Sequence, residues 1–181
     1  MRILITGASG YIGSALTPKL LKAGYDVVAV DSLIYNQTSL LGCINCPNFT
    51  FHKVDVRDVS AMTPLYQEVD VIIPLAGIVG APACKITPES KATNQDTITH
   101  LASLDKLVIF PNTNSGYGTK SGTRFCTEET PLEPISEYGQ QKVEAERFLL
   151  THHPKTISLL ISRFINRPPH KIIDSCTLVR F

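Results

Sequence analysis

Six short apolar runs recur along the chain: Arg2 to Thr6, Asp26 to Val30, Phe49 to Val54, Val69 to Leu75, Leu107 to Phe110 and Ile157 to Ile161. They are nearly continuous in Ile, Val, Leu and Phe and do not alternate with polar residues. This is the pattern of strands covered on both faces, as in a parallel sheet. After the first run, Ile12, Leu16 and Leu20 lie at helical spacing with Ala15 and Ala23 beside them, and Gly24 stands where a C-terminal cap belongs. Pro18 falls inside that helix and is expected to cost it a backbone hydrogen bond or to kink it. Tyr138 to Leu150, with Val143, Phe148 and Leu149 among Glu and Lys, predicts another helix before the last strand. Alternation of strand and helix predicts an α/β fold, a doubly wound parallel sheet of about six strands. Proline and glycine gather in connecting segments, notably Gly116 to Pro134.

The first strand runs directly into Gly7-Ala8-Ser9-Gly10-Tyr11-Ile12-Gly13 and then into the amphipathic helix. In such a turn one glycine takes positive φ, another lets backbone approach a pyrophosphate, and a third allows helix and strand to touch. The helix N-terminus then faces the anion with free N–H groups and the positive end of its dipole. A phosphate-binding role follows for Gly7, Ser9, Gly10, Tyr11, Ile12 and Gly13. Asp31 ends the second strand, eighteen residues beyond Gly13. A carboxylate there accepts hydrogen bonds from ribose hydroxyls and repels a 2′-phosphate, which points to NAD and away from NADP.

Tyr138 and Lys142 are spaced i to i+4, neighbours on one helical face. A nearby ammonium and an oxidised nicotinamide both favour the phenolate, so Tyr138 is a candidate base for a hydroxyl proton. The segment Pro111 to Gly118 follows the fifth strand at the carboxyl end of the sheet, where open α/β folds bind ligands, and it supplies the Thr113 hydroxyl.

These residues resemble the extended short-chain dehydrogenase/reductase family, in particular its NAD-dependent sugar-nucleotide epimerases and dehydratases. The resemblance covers residues 1–161. It rests on Thr6-Gly-x-x-Gly-x-x-Gly13, Asp31, Asp55-Val56-Arg57-Asp58, Leu75-Ala76-Gly77, Asn94, Thr113 with Tyr117-Gly118, and Tyr138-x-x-x-Lys142. It implies a Rossmann-like NAD-binding domain in which Asp55 and Val56 contact adenine, Leu75, Ala76 and Gly77 line the cofactor, and Lys142 holds the nicotinamide ribose. Thr113 and Tyr138 would bracket the sugar hydroxyl of a nucleotide-sugar substrate. Asn94, grouped with the cofactor-binding residues, is similar to the family's structural asparagine on the helix after strand four. A homodimer through the helices after Asn94 and around Tyr138 is the association it implies.

Composition narrows this picture. A chain of 181 residues, 43% apolar, fits one domain with an ordinary core. A net charge of +1 without basic or acidic runs gives no nucleic-acid footprint and no polybasic membrane anchor. No apolar run reaches the ~18 to 20 residues that cross a bilayer. Five cysteines and no signal segment argue against a disulfide framework and make the reducing cytoplasm the expected location. Cys43-Ile44-Asn45-Cys46 has no second pair at zinc spacing and reads as two loop thiols; Cys84 and Cys126 read as spectators, and no metal is expected.

Two departures from the family pattern bear on function. Dehydratases usually carry an acidic pair after the threonine, whereas Asn114 and Ser115 stand here. Without those proton carriers epimerisation or reduction is expected ahead of 4,6-dehydration, and 4-epimerisation, through a 4-keto sugar, is the favoured reading. Family members also continue well past the sixth strand to build a substrate-binding domain. Residues 1–161 are therefore expected to form the NAD-binding domain and 162–181 an atypical tail, with the C-terminal substrate domain lacking. A truncated enzyme with little turnover and a non-catalytic NAD-binding module are the competing expectations.

Overall fold

A computed structural model describes residues 1–120, 126–161 and 177–180. Seven strands form one sheet in the order β3-β2-β1-β4-β5-β6-β7: β1 (Arg2–Thr6), β2 (Asp26–Asp31), β3 (Phe49–Lys53), β4 (Val71–Pro74), β5 (Leu107–Thr113), β6 (Thr156–Ile161) and β7 (Thr177–Arg180). The first six are parallel, as the unbroken apolar runs predict. The seventh, from the segment read as a tail, pairs antiparallel with β6, Ile161 opposite Thr177. The rest of that tail, 162–176 and Phe181, lies outside the described residues. The strand order reverses beside β1, where β2 lies on one side and β4 on the other; in open α/β sheets such a switch point opens a ligand crevice.

The central strands β1, β2, β4 and β5 feed two cores. Leu4, Val28, Val30, Ile72, Val108 and Phe110 face one layer, and Ile3, Ile5, Val27, Ala29, Val71 and Ile73 face the other. The first layer is closed by α2 (Val59–Gln67) and by α5 (Glu137–His152) through Met62, Ala145 and Leu149. The second is closed by α1 (Tyr11–Lys22) through Leu21 and by the β2–β3 connection through Leu40 and Cys43. Between β4 and β5 lie the short helix α3 (Ala81–Ile86) and a helical run centred on α4 (Thr97–Thr99). That run opens with a π turn over Ala92–Asp96 and closes with a 3-10 turn over His100–Ser103.

Helix α1 passes through Pro18 without ending. Pro18 is exposed, as is Pro64 inside α2, so water reaches the carbonyls these rings leave without a donor. The helix stops as its glycine foretold: Gly24 takes φ +86°, its N–H donates to the Leu21 carbonyl at 3.0 Å, and Tyr25 N–H donates to the Leu20 carbonyl at 3.1 Å. Strand β5 runs three residues beyond its predicted end. β4 pairs with it only at Leu107 and Val108, so the remainder is open along one edge, a setting that tolerates Pro111.

Candidate active site

The β1–α1 turn forms one wall of the crevice at the switch point. Gly7 has φ +63°, and a side chain there would come within 2.7 Å of the Ala76 backbone, so this turn and the end of β4 are in direct contact. A Cβ at Gly13 would lie 2.5 Å from the Ala8 carbonyl oxygen, which sets how closely α1 packs on the turn. Gly10 caps α1 without a side chain, and the first turn holds no acidic residue. The helix therefore presents its N-terminal dipole to the crevice with no competing carboxylate of its own.

The crevice encloses about 980 Å³. Among its lining residues are Gly7, Ser9, Gly10, Tyr11, Ile12, Gly13, Asp31, Asp55, Val56, Leu75, Ala76, Gly77, Thr113, Tyr138 and Lys142, which are all the sequence-predicted site residues except Asn94. Asp31, 6% exposed, accepts from Ser9 N–H at 2.9 Å and from Leu33 N–H at 2.8 Å. It thus ties the glycine turn to the end of β2, and a carboxylate with two donors retains lone pairs for ribose hydroxyls. At the rim Asp55 forms an ion pair with Arg57, whose Nη2 lies 2.6 Å from Oδ2; that side-chain hydrogen bond holds the Asp55 carboxyl below its ordinary range.

Asn94 lies behind the crevice and does not line it. Its Oδ1 accepts from Ile78 N–H at 2.8 Å and its Nδ2 donates to the Ile78 carbonyl at 3.0 Å, so it holds both backbone groups of one residue in the loop after β4. The Asn94 side chain thus serves the loop, in keeping with its resemblance to a structural asparagine, and at 2% exposure it is not placed for the cofactor contact expected of it.

Tyr138 and Lys142 lie on the first turns of α5, whose N-cap Ser136 accepts from Gly139 N–H at 3.1 Å. Burial pushes the Tyr138 phenol above its ordinary range, with Cys84 adding to the effect. Burial also pulls the Lys142 ammonium down to about 7, against the Glu146 carboxylate, which works in the opposite direction. Lys142 Nζ sits 3.9 Å from the centroid of the Phe110 ring, a cation–π contact in a low-dielectric wall. The phenol is thus governed here by burial, not by the ammonium expected to assist it. Thr113 closes the group: its Oγ1 donates to Ser115 Oγ at 3.3 Å and accepts from Ser115 N–H at 3.3 Å.

Several lining residues carried no sequence signal, among them Ile34, Tyr35 and Gln37 after β2 and Thr87, Glu89 and Thr93 before α4. They stand on or beside irregular backbone, where periodicity says nothing. Two buried polar atoms of lining residues, Gln37 Oε1 and Asn112 Nδ2, have no hydrogen-bond partner among the described residues. Together with the uncapped helix end and Asp31, this donor and acceptor set fits a dinucleotide. Cys43 lies in the second core, where burial, with Cys46 adding to the effect, pushes its thiol above the ordinary range.

Comparison with known proteins agrees with this geometry. Residues 3–167 match the NAD dependent epimerase/dehydratase family, and the chain belongs to that enzyme family, whose cofactor is NAD. A UDP-glucose 4-epimerase of Oryza sativa subsp. japonica is 30% identical over 180 residues, covering 91% of this chain and 48% of the rice protein. The UDP-glucose 4-epimerase of Mycolicibacterium smegmatis is 33% identical over 159 residues, covering 82% of this chain and 50% of its own. Among solved structures, the UDP-Glc/GlcNAc 4-epimerase of Campylobacter jejuni superposes with a TM-score of 0.79 at 26% identity, over 90% of this chain and 53% of that one. The NAD complex of dTDP-glucose 4,6-dehydratase from Bacillus anthracis gives 0.78 at 25% identity, over 94% and 58%. The chain spans about half the length of the curated relatives it matches.

Proposed function

We propose that this chain binds NAD in the crevice at the switch point and carries the catalytic half of a nucleotide-sugar 4-epimerase site. The observation that carries the reading is the convergence on one crevice of the glycine turn, Asp31, Thr113, Tyr138 and Lys142. In this reading the α1 N-terminus holds the pyrophosphate, Asp31 the adenosine ribose, Asp55 and Val56 the adenine, and Leu75 to Gly77 with Lys142 the nicotinamide end. NAD when bound supplies a reversible hydride acceptor. Tyr138 Oη takes the proton of the sugar hydroxyl and later returns it, while Thr113 Oγ1 shares that proton and fixes the hydroxyl. Inversion follows when the sugar receives hydride on its other face.

Epimerisation is preferred to dehydration because the segment after Thr113 offers an amide and a hydroxyl, Asn114 and Ser115, and the Ser115 hydroxyl is engaged with Thr113. The carboxylates that line the crevice, Asp31, Asp55 and Glu89, belong to other segments. Loss of water from a sugar needs an acid and a base beside the reacting carbons. Titration calorimetry tests the cofactor: NAD is expected to bind more tightly than NADP, and equal or tighter NADP binding would sink the Asp31 assignment. Incubation with NAD and UDP-, GDP-, CDP- and dTDP-sugars, followed by proton NMR, tests the chemistry: C4 interconversion supports the reading, and a 4-keto-6-deoxy product would make the site a dehydratase. A homodimer is part of the proposal. Its face is the groove of about 370 Å³ between α4 and α5 that Ile98, Ala145 and Phe148 line, and light scattering at a single protomer mass would exclude it.

A further inference from the structure

We propose that Gln141 is a positioning residue for the reaction, a cross-brace whose carboxamide sets the helix bearing Tyr138 and Lys142 against the loop that lines the nicotinamide side of the crevice. The proposal rests on reading that crevice as the NAD site. Gln141 lies between Tyr138 and Lys142 on α5, is 5% exposed, and points away from the crevice into a buried polar cluster. Its Oε1 accepts from Asn94 Nδ2 at 2.7 Å; its Nε2 donates to Ser90 Oγ at 3.2 Å and to Glu137 Oε1 at 3.3 Å.

The polarity of Asn94 and Ser90 is fixed by their other bonds and that of Glu137 by its being a carboxylate, so the site accepts one chemistry. Asn94 Oδ1 is bound to Ile78 N–H, which turns the Asn94 amide nitrogen, a donor, toward Gln141. Ser90 spends its hydroxyl proton on the Cys84 carbonyl at 3.1 Å, so its oxygen faces Gln141 as an acceptor. The Glu137 carboxylate is an acceptor as well. A side chain here must accept once and donate twice from one end, and among side chains of this length a primary carboxamide does so. Since Asn94 grips the Ile78 backbone, one step beyond Gly77, the brace links the loop after β4 to α5 through Asn94, by two bonds to Ile78 and one to Gln141. The π turn over Ala92–Asp96 brings Asn94 to this point, the kind of local widening that recurs at functional sites.

The test compares three variants with the unaltered chain, reading NADH affinity by fluorescence, the titration of the Tyr138 phenol by carbon-13 NMR of labelled tyrosine, and the thermal midpoint. Gln141→Met keeps length and volume but removes all three bonds; NADH affinity is expected to fall about tenfold, the loss that one or two net hydrogen bonds convert to, with a displaced Tyr138 titration. Gln141→Glu turns the two donors into acceptors facing Ser90 and Glu137 and is expected to do at least as much harm. Adding Glu137→Gln to Gln141→Glu re-forms that bond in the reverse sense and is expected to recover most of the affinity, a rescue that space-filling alone does not predict. If Gln141→Met fails to fold, Ser90→Ala removes one arm of the brace and carries the same expectation, reduced to several-fold. A lowered thermal midpoint with unmoved NADH affinity and unmoved Tyr138 titration would overturn the proposal, as would absence of rescue. Failure of the unaltered chain to bind NADH would instead overturn the reading of the crevice.

Discussion

Replacing Gly13 by alanine tests the phosphate-binding turn at its tightest point. The added methyl would lie 2.5 Å from the Ala8 oxygen, 2.6 Å from its Cα and 2.7 Å from its carbonyl carbon, all backbone atoms, where ordinary contact begins at 3.4 Å. No side chain can yield, so α1 must move off the turn by about 0.9 Å or the turn must deform. Overpacking of this kind costs about 1–3 kcal/mol. At about 2–4 °C per kcal/mol for a chain of this size, the thermal midpoint is expected to fall by about 2 to 12 °C. NAD affinity is expected to fall by about tenfold or more, because the displaced element is the helix end proposed to meet the pyrophosphate. Gly42→Ala is the control: nothing lies within 4 Å of its added methyl and its φ is ordinary, so it is expected to be neutral or to stabilise by up to about 1 kcal/mol. Thermal melts and calorimetric titrations with NAD read both effects. A Gly13→Ala chain that melts within about 1 °C of the unaltered one and binds NAD equally would refute the close-packing argument.

Asp31→Ala removes the acceptor of Ser9 N–H and Leu33 N–H as well as the charge, so it is expected to destabilise the chain by about 1–3 kcal/mol and to narrow the preference for NAD over NADP; an unchanged cofactor ratio by calorimetry would disconnect Asp31 from selectivity. Lys142 loses its proton near 7 in the folded chain but near its ordinary value when unfolded, so between those values the unfolded state binds one more proton. Stability therefore gains about 1.4 kcal/mol per pH unit from this group as pH rises through the window, and below it the penalty is constant. Denaturant melts of Lys142→Met from pH 6 to 10 are expected to lack that gain relative to the unaltered chain, and parallel curves would show that the ammonium is not desolvated. If the chain interconverts sugars, Tyr138→Phe is expected to abolish that turnover while changing NAD affinity little, and retained turnover would remove the phenol from the chemistry.

The strands were legible because burial on both faces demands apolar residues at every position, and Leu4 with Ile3 and Ile5 shows the two cores sharing one strand. The glycine turn and Asp31 were legible because each needs one residue type at one place. What stayed hidden depends on contacts distant in sequence. Asn94 and Gln141 are forty-seven residues apart and meet only through the fold. His153, at the C-terminal end of α5, is buried at 3% exposure between the Leu104 carbonyl and Thr156 Oγ1. A carbonyl can only accept, so Nε2 carries a proton there, an assignment that no spacing rule reveals. Thr177–Arg180 was read as a tail because four residues on a sheet edge leave almost no periodic trace.

The ionisation of Tyr138 and Lys142 is where local reasoning and the fold diverge most usefully. From i to i+4 spacing an ammonium ought to draw the phenol toward its anion. In the fold both groups are driven toward neutrality, the phenol upward and the ammonium down to about 7, because burial penalises either charge more than the other relieves it. Lys142 turns its Nζ to the face of Phe110, and Glu146, one turn further along α5, is the carboxylate that works to keep it charged. Glu146 is itself 1% exposed and held by the Ser158 hydroxyl at 2.5 Å, so its position is set by β6. A neutral phenol is a poor base for a sugar hydroxyl. The positive charge of an oxidised nicotinamide has the sign that lowers a phenol, and a ribose hydroxyl has the lone pairs that a buried ammonium seeks, so the cofactor that fits this crevice would also correct both ionisations.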